Sequence, residues 1–302
     1  MSFDLYADLT LLEACPADSA MPFGLASGLV DGCTVWSTGG KDRRNQARQS
    51  YIRCAQKENL KFPPRLEVDQ DGGEPPDPSW IRFEIAFLLE TPWYSKDDRP
   101  FHVLDNPVRK DRVFGVPFMS EASWKGLLRW ACRMSAGLAE HLHRNRGKLD
   151  GWKDPAWILH LFGNEKEEKK DFQRGALAFH PTWFSRIGFE VINPHSRKTR
   201  AGTQPIYYEV VPAGASGVFK MLYAPLPGSV ERSNVKPFEA INGLLDAAQA
   251  LFTTYGISAK RMAGWGTARV TQWKAKQRFK QPISKGSLAE FTEQFATWFN
   301  RA

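Results

Sequence analysis

From Trp80 onward apolar and polar residues alternate, with Ile81, Phe83, Ile85, Phe87 and Leu89 on one side of an extended chain and Arg82 and Glu84 on the other. A period of two predicts a half-buried β-strand. Between Ser120 and about His143 the period lengthens. Trp124, Leu127, Leu128, Ala131, Met134 and Leu138 recur at three and four, which predicts an amphipathic helix. GALAFHP (175–181) predicts a further strand, and IYYEVV (206–211) with GVFKMLYA (217–224), separated by PAGAS, predict a hairpin. A second helix carries Phe238, Ile241, Leu244, Leu245, Ala248, Leu251 and Phe252 on one face, with Gly256 where a C-terminal cap belongs. TARVTQWK (267–274) supplies a last strand. A short closing helix follows Ser287, with Leu288, Phe291, Phe295 and Trp298 on one face.

Strand, helix, strand, strand, helix, strand is the split βαβ order of an α+β, ferredoxin-like fold, the scaffold of the RRM class of RNA-binding modules. That scaffold hosts many activities, so it assigns none. The Gly, Pro and acid cluster DGGEPPDPS (71–79) separates this patterned part from an irregular first quarter. The expected organisation is an N-terminal extension or insertion region at 1–79 and a ferredoxin-like domain with insertions at 80–302. Within the first region, GGKDRRNQARQSYIRCAQKEN (39–59) reads as a polar loop leading into a short basic helix, or as an exposed insertion.

Composition adds a charge. Lys and Arg exceed Asp and Glu by eight over 302 residues, which favours a polyanionic partner without identifying it. No run approaches the eighteen or so apolar residues of a membrane span, and the first residues lack the pattern of a signal peptide, so a cytoplasmic protein without a membrane partner is expected. Cys15, Cys33, Cys54 and Cys132 form no CxxC pair and are expected as reduced thiols.

Candidate chemistry lies in three basic segments and one acid. Lys125, Arg129 and Arg133 recur every four residues on the first helix beside Gly126, either as a phosphate track or as a solvated face opposite the core. Ser120 or Ser123 near the helix start could turn backbone N–H groups toward a phosphate. SAKRMAGWGTARV (258–270) combines Lys260 and Arg261 with Gly264 and Gly266 around Trp265, a basic turn that admits a nucleic-acid backbone or simply a tight connection with a core tryptophan. Arg197, Lys198 and Arg200 sit in a third basic loop. Asp105 stands near Arg109 and Lys110 in the loop between the first strand and the first helix, as a turn acid or as a group acting at a phosphodiester, alone or through a hydrated Mg²⁺.

LDNPVRKDRVFGVPFMSEASWKGLLR (104–129) resembles a segment of the RAMP superfamily of CRISPR proteins, in which an aspartate, a Pro-Val pair, a Gly-x-Pro turn and a Ser-x-Lys-Gly-x-x-Arg helix start follow one another. LFGNE (161–165), RGALAFH (174–180), YYEVVPAG (207–214) and AKRMAGWGTARV (259–270) are similar to later landmarks in the same order. The likeness is strongest to the repeated backbone subunits of type III effector complexes, the Csm and Cmr classes. It implies a subunit that grips a CRISPR guide RNA, contacts neighbouring subunits and cuts the paired target RNA in a metal-dependent step. The implied cutting residue, and Mg²⁺ ligand, is Asp105. The implied guide-binding residues are Ser123, Lys125, Gly126 and Arg129, with Gly264 and Gly266 in the glycine-rich turn; Arg133, Arg109, Lys110, Arg197, Lys198, Arg200, Lys260 and Arg261 join them as basic neighbours. The chain departs from the family at Met119 to Ala122, where a Pro-Gly turn is usual. Two other roles remain open: a non-catalytic scaffold or capping subunit, and a metal-independent guide-processing endoribonuclease, for which His102 is the nearest base.

Overall fold

The computed structural model of the chain describes residues 36–57, 73–98, 102–111, 115–164, 174–194, 202 and 205–299. A long helix, α1 (Lys41–Lys57), precedes strand β1 (Ile81–Leu89). Then come the short β2 (Phe118–Met119) and helix α2 (Glu121–Arg133), which runs through a π-helical turn at Met134–Leu138 into α3 (Ala139–Arg144). Helix α4 (Ala156–Phe162) leads to β3 (Leu177–Phe179), β4 (Thr182–Trp183) and β5 (Gly188–Ile192). The remainder is β6 (Ile206–Val210), β7 (Ser216–Tyr223), α5 (Ser229–Ser233), α6 (Pro237–Ala250), β8 (Ala268–Gln277), β9 (Ile283–Lys285) and α7 (Leu288–Ala296).

The main sheet has the order β3-β7-β1-β8-β9, and its pairings are antiparallel. With β1, β3, β7 and β8 taken as the four strands of the split βαβ unit, and α2 and α6 as its helices, this is the ferredoxin-like arrangement, extended by β9. The alternation read in β1 is complete: its odd-numbered residues are buried and the residues between them are not. Phe83 faces Met221 and Ala275, and Ile85 faces Phe219 and Trp273, so the central strand delivers its apolar face to one layer shared with both neighbours. On the opposite face Glu84 lies between Lys220 and Lys274, a favourable cross-strand alternation of charge.

The apolar face is covered by α2 and α6 in one core containing Trp124, Leu128, Ile241, Leu244, Leu245 and Phe252. Trp124 stacks on Phe219 at 4.2 Å between ring centroids, and Phe87 meets Phe252 at 4.8 Å. Burial of these large aromatics stabilises the sheet–helix layer by about 2 kcal/mol each before the entropy of ordering is set against it. The second helix ends as its sequence indicates, with Gly256 at φ +77° donating its N–H to Leu251 O. Ser287 caps α7 by accepting from Glu290 N.

The expected hairpin of 206–211 with 217–224 does not form. Strand β6 pairs instead with β5, from Gly188 opposite Val210 to Ile192 opposite Ile206, while β7 lies between β1 and β3. Two hydrogen bonds of 2.9 Å fix Val211 to Trp93 and redirect the chain between the two strands. The physical reason lies in what each strand buries: β7 gives alternate apolar residues to the helix layer, whereas β6 buries Tyr208, Glu209 and Val210 in succession. Glu209 has its polar partners away from that layer.

Helix α1 falls where a short basic helix is read in residues 39–59, but it runs for 17 residues and is packed rather than extended into solvent. Ala47, Tyr51 and Ala55 are buried in a second apolar cluster with Val103, Val116 and Ile187. Among the described residues Cys54 and Cys132 form no disulfide, and burial pushes the Cys132 thiol well above its ordinary pKa. Cys15, Cys33, Arg197, Lys198 and Arg200 lie outside the described residues.

Candidate nucleic-acid interface

The loop from His102 to Asp111 leaves the β1 side of the sheet and returns toward α2, and a buried carboxylate gives it its shape. Glu209 on β6 accepts from Val108 N at 3.0 Å and from the Tyr51 hydroxyl on α1 at 2.5 Å, and it pairs with Lys110. The Glu209 and Lys110 side chains are 0% and 2% exposed, and the ammonium also lies over the Tyr51 ring. A buried pair persists only when its remaining hydrogen-bonding capacity is filled, as the tyrosine and the backbone N–H do for Glu209. Backbone bonds complete the frame: Glu209 N donates to Asn106 O, Arg109 N to Ser95 O and Asn106 Nδ2 to Tyr207 O.

This geometry corrects one sequence expectation. Lys110 points into the protein and is the counter-ion of Glu209, so it is not presented to RNA. Arg109 is paired with the exposed Asp98. Asp105 behaves differently from both. Its side chain is 78% exposed, and one oxygen accepts from Arg48 Nη2 at 2.9 Å. Arg48 Nε in turn donates to Val103 O at 3.0 Å. The guanidinium is thereby fixed between helix α1 and the loop. His102 accepts from Leu104 N through Nδ1 and meets Tyr51 edge-on, which makes it part of the loop's support.

Helix α2 begins beside this loop. Ser120 is its N-cap, accepting from Ser123 N, and the two hydroxyls are 3.0 Å apart. Lys125 and Gly126 are exposed, and a Cβ added to Gly126 would meet no atom within 4 Å. The glycine therefore leaves open space over the helix, and its neighbour projects a cation.

The rest of the cationic stripe is tied inward. Arg129 donates to Asp154 Oδ2 through Nε and Nη2 at 3.0 and 2.6 Å, and Arg133 donates to both oxygens at 2.6 and 2.8 Å. Trp152 Nε1 adds a bond of 2.8 Å. The Asp154 side chain is 3% exposed. Burial alone would raise its pKa, but the hydrogen bonds from Arg133, Arg129 and Trp152 outweigh burial and hold it below the ordinary carboxylate value. A continuous track of three solvated cations is thus not what the helix offers; Lys125 is the member directed to solvent.

The glycine-rich turn packs against the same helix. Arg261 lies over the Trp130 ring of α2 at 4.6 Å, its pKa lowered by burial, and its Nη1 is buried with no hydrogen-bond partner among the described residues. Lys260 lies 5.0 Å over the Tyr208 ring, and Trp265 meets the same ring edge-on. Gly264 is exposed in the left-handed region, while Gly266, at φ +92°, is buried where a Cβ would come within 2.3 Å of Ser258 N. Gly266 is required by packing, whereas Gly264 needs only its turn conformation.

The structure therefore brings the Asp105 loop and the 258–266 turn together on β6, through Glu209 and Tyr208, and ties the approach to α2 to that loop through the bond from Phe118 N to Arg109 O. Sequence reasoning did not find Arg48, Tyr51, Glu209 or Asp154. The spacing of Ala47, Tyr51 and Ala55 was a signal for a buried helix stripe, and a glutamate inside the apolar run YYEVV was a signal for a buried acid. Nothing in the spacing around Asp154 joins it to Arg129 and Arg133.

A sequence model of the RAMP superfamily matches residues 72–269. No curated protein matches the chain. Among solved structures, a chain from a cryo-EM structure of the type III-B Cmr-beta complex bound to cognate target RNA is similar, with a TM-score of 0.49 and 12% identity over 78% of this chain and 75% of that one. A chain from a crystal structure of the Csm3-Csm4 subcomplex of the type III-A interference complex has a TM-score of 0.45 and 18% identity, over 72% of this chain and 95% of that one. A chain from a CRISPR RNA-guided surveillance complex has a TM-score of 0.45 and 16% identity, over 73% and 84%.

Proposed function

The chain belongs to the RAMP superfamily, and from that premise we propose that it is a guide-RNA-binding subunit of a type III CRISPR effector complex that cuts the paired target RNA at Asp105. The observation that carries this reading is the placement of residues 102–111 and 115–129. An exposed carboxylate sits in a loop held rigid by buried contacts, beside a helix start that offers Ser123, Lys125 and the open surface over Gly126. The protein part grips phosphates and contributes no sequence choice, which base pairing with the guide supplies.

In the proposed cut, a 2′-hydroxyl of the target attacks the adjacent phosphorus in line, and Asp105 accepts its proton. Among the described residues, no group of three or more His, Cys, Asp or Glu is arranged to hold a metal ion. A single exposed carboxylate such as Asp105 meets the weaker demand of a hydrated Mg²⁺, which keeps several waters and is held by one or two carboxylates together with substrate phosphates. Such an ion would supply charge neutralisation at the phosphate. The protein's own residues hold the carboxylate and the backbone of the RNA.

Sequencing the RNA that co-purifies with the chain and its partner subunits tests the first half of the proposal. Repeat-derived small RNA is expected, and its absence sinks the assignment. Asp105→Ala in the assembled complex tests the second half: loss of target cutting with guide RNA retained is expected, and normal cutting at every site shows a scaffold subunit. The chain contains no helix, among the described residues, long and apolar enough to cross a membrane. A cytoplasmic ribonucleoprotein is the setting this reading proposes.

A further inference from the structure

We propose that Arg48 is a second catalytic group of the cutting centre, contributed by a helix outside the family-matched residues 72–269. The inference rests on the reading of Asp105 as the cutting residue and adds what the phosphate would meet there. Three observations carry it. Arg48 is bonded directly to the Asp105 carboxylate, through Nη2 at 2.9 Å. Its Nε is committed to Val103 O at 3.0 Å, so the guanidinium plane is fixed by two partners and Nη1 is left as the edge with no partner among the described residues. The side chain remains 34% exposed, beside a carboxylate that is 78% exposed, so RNA can reach both.

The helix is held in place independently of this pair. Ala47, Tyr51 and Ala55 are buried against Val103, Val116 and Ile187, and the Tyr51 hydroxyl is bonded to Glu209, which also holds Val108 N and Lys110. Arg48 thus stands on a rigid base, with its charge placed before RNA arrives. A preorganised cation at the point where charge develops acts without reorganisation during the reaction. Arginine suits the role because its planar fork can hold a carboxylate on one edge and phosphate oxygens on another.

The step balances without a redox partner. The target's 2′-oxygen bonds to phosphorus as the bond from phosphorus to the 5′-oxygen breaks. The 2′-proton passes to the Asp105 oxygen that Arg48 does not hold, and the departing 5′-oxygen takes a proton from water. Arg48 Nη1 meets the negative charge that builds on the non-bridging oxygens. The products are a 2′,3′-cyclic phosphate and a 5′-hydroxyl, and Asp105 returns its proton to water.

The test uses the assembled complex carrying its guide RNA, with Arg48→Ala, Arg48→Lys and Asp105→Ala compared under single turnover. Arg48→Ala is expected to slow cutting by about 10²-fold, the usual loss when one preorganised donor is removed, with target affinity unchanged. Arg48→Lys should recover part of the rate, because a cation without the fork remains. A second readout separates chemistry from support: a target with sulfur in place of one non-bridging oxygen at the scissile phosphate should be cut more slowly by the native complex, and this penalty should shrink in Arg48→Ala. If Arg48→Ala cuts at the native rate or faster while Asp105→Ala does not cut, Arg48 is only a surface partner or a block, and the proposal falls alone. An unchanged sulfur penalty in a slowed Arg48→Ala complex also overturns it, since the residue then acts through the loop. If Asp105→Ala itself cuts normally, the reading beneath it fails first.

Discussion

Asp105 and Asp154 are both paired with arginine, yet the structure uses them in opposite ways. Asp154 is 3% exposed and takes bonds from two arginines and a tryptophan, so its bonding capacity is filled from within the chain. Asp105 is 78% exposed and takes one arginine on one oxygen. Charge alone makes the two sites look alike. Burial distinguishes them, because removing a buried partner leaves an uncompensated charge, whereas an exposed pair is screened and contributes little. The first site therefore holds the α2 region together, and the second has a carboxylate to spare for a ligand.

Asp154→Ala should have the largest effect. It leaves Arg129 and Arg133 without their shared acceptor, and a loss of about 3–5 kcal/mol in unfolding free energy is expected by analogy with broken buried pairs. Urea denaturation measures it directly; a loss below about 1 kcal/mol would show that the two arginines find solvent at no cost. Acid sharpens the same point. The Asp154 pKa is lowered in the folded state, so its contribution is fully present above the ordinary carboxylate value near 4 and is lost as pH falls through the lower folded value. The native chain should therefore lose more stability on acidification below about pH 4 than Asp154→Asn, which has no proton to take up there.

Gly266→Ala comes next. Its φ is +92° and the added Cβ would lie 2.3 Å from Ser258 N, so backbone must move, at a cost of about 1–3 kcal/mol. Gly264→Ala meets open space and should cost about 1 kcal/mol for the left-handed conformation alone. If thermal unfolding ranks them the other way, the division of this turn into a packing glycine and a turn glycine is wrong.

These contrasts also show what could be read along the chain. Strand β1 was legible because both its neighbours and the helix layer bury the same alternate residues, so pattern and environment agree. Helix α2 and the caps at Gly256 and Ser287 were legible for the same reason of local consistency. Strand β6 reads as a strand in the sequence, but its partner is β5 and not the β7 that its position along the chain suggests. Its direction is set by Val211 on Trp93 and by Glu209 on Lys110 and Tyr51, contacts that span about a hundred residues or more and leave no periodic trace. The same limit governs the site. Asp105, Lys125 and the glycine turn carried local signals, whereas Arg48, 57 positions from Asp105, and Asp154, 25 from Arg129, are joined to them only by the fold.

Asp105→Ala should leave stability within about 1 kcal/mol of native, as expected for a largely exposed ion pair, even though it is expected to abolish cutting. Unfolding measured beside cleavage tests the comparison itself: a stability loss as large as that of Asp154→Ala would make Asp105 a structural acid after all.

Lys125→Ala should have the smallest effect on the fold and the most selective effect on RNA. The side chain is exposed and no ion pair holds it among the described residues, so unfolding should change by no more than about 0.5 kcal/mol. Affinity for RNA should weaken alike across sequences, and the slope of log affinity against log salt should fall by about 1, the signature of one lost phosphate contact. Arg129→Ala is the informative partner. Its guanidinium already commits two nitrogens, Nε and Nη2, to Asp154 and stands 16% exposed, so its loss should register first in stability and only weakly in the salt slope. Equal salt effects from the two substitutions would mean that Asp154 does not withdraw Arg129 from the phosphate, and the helix would present a longer track than the paired geometry indicates.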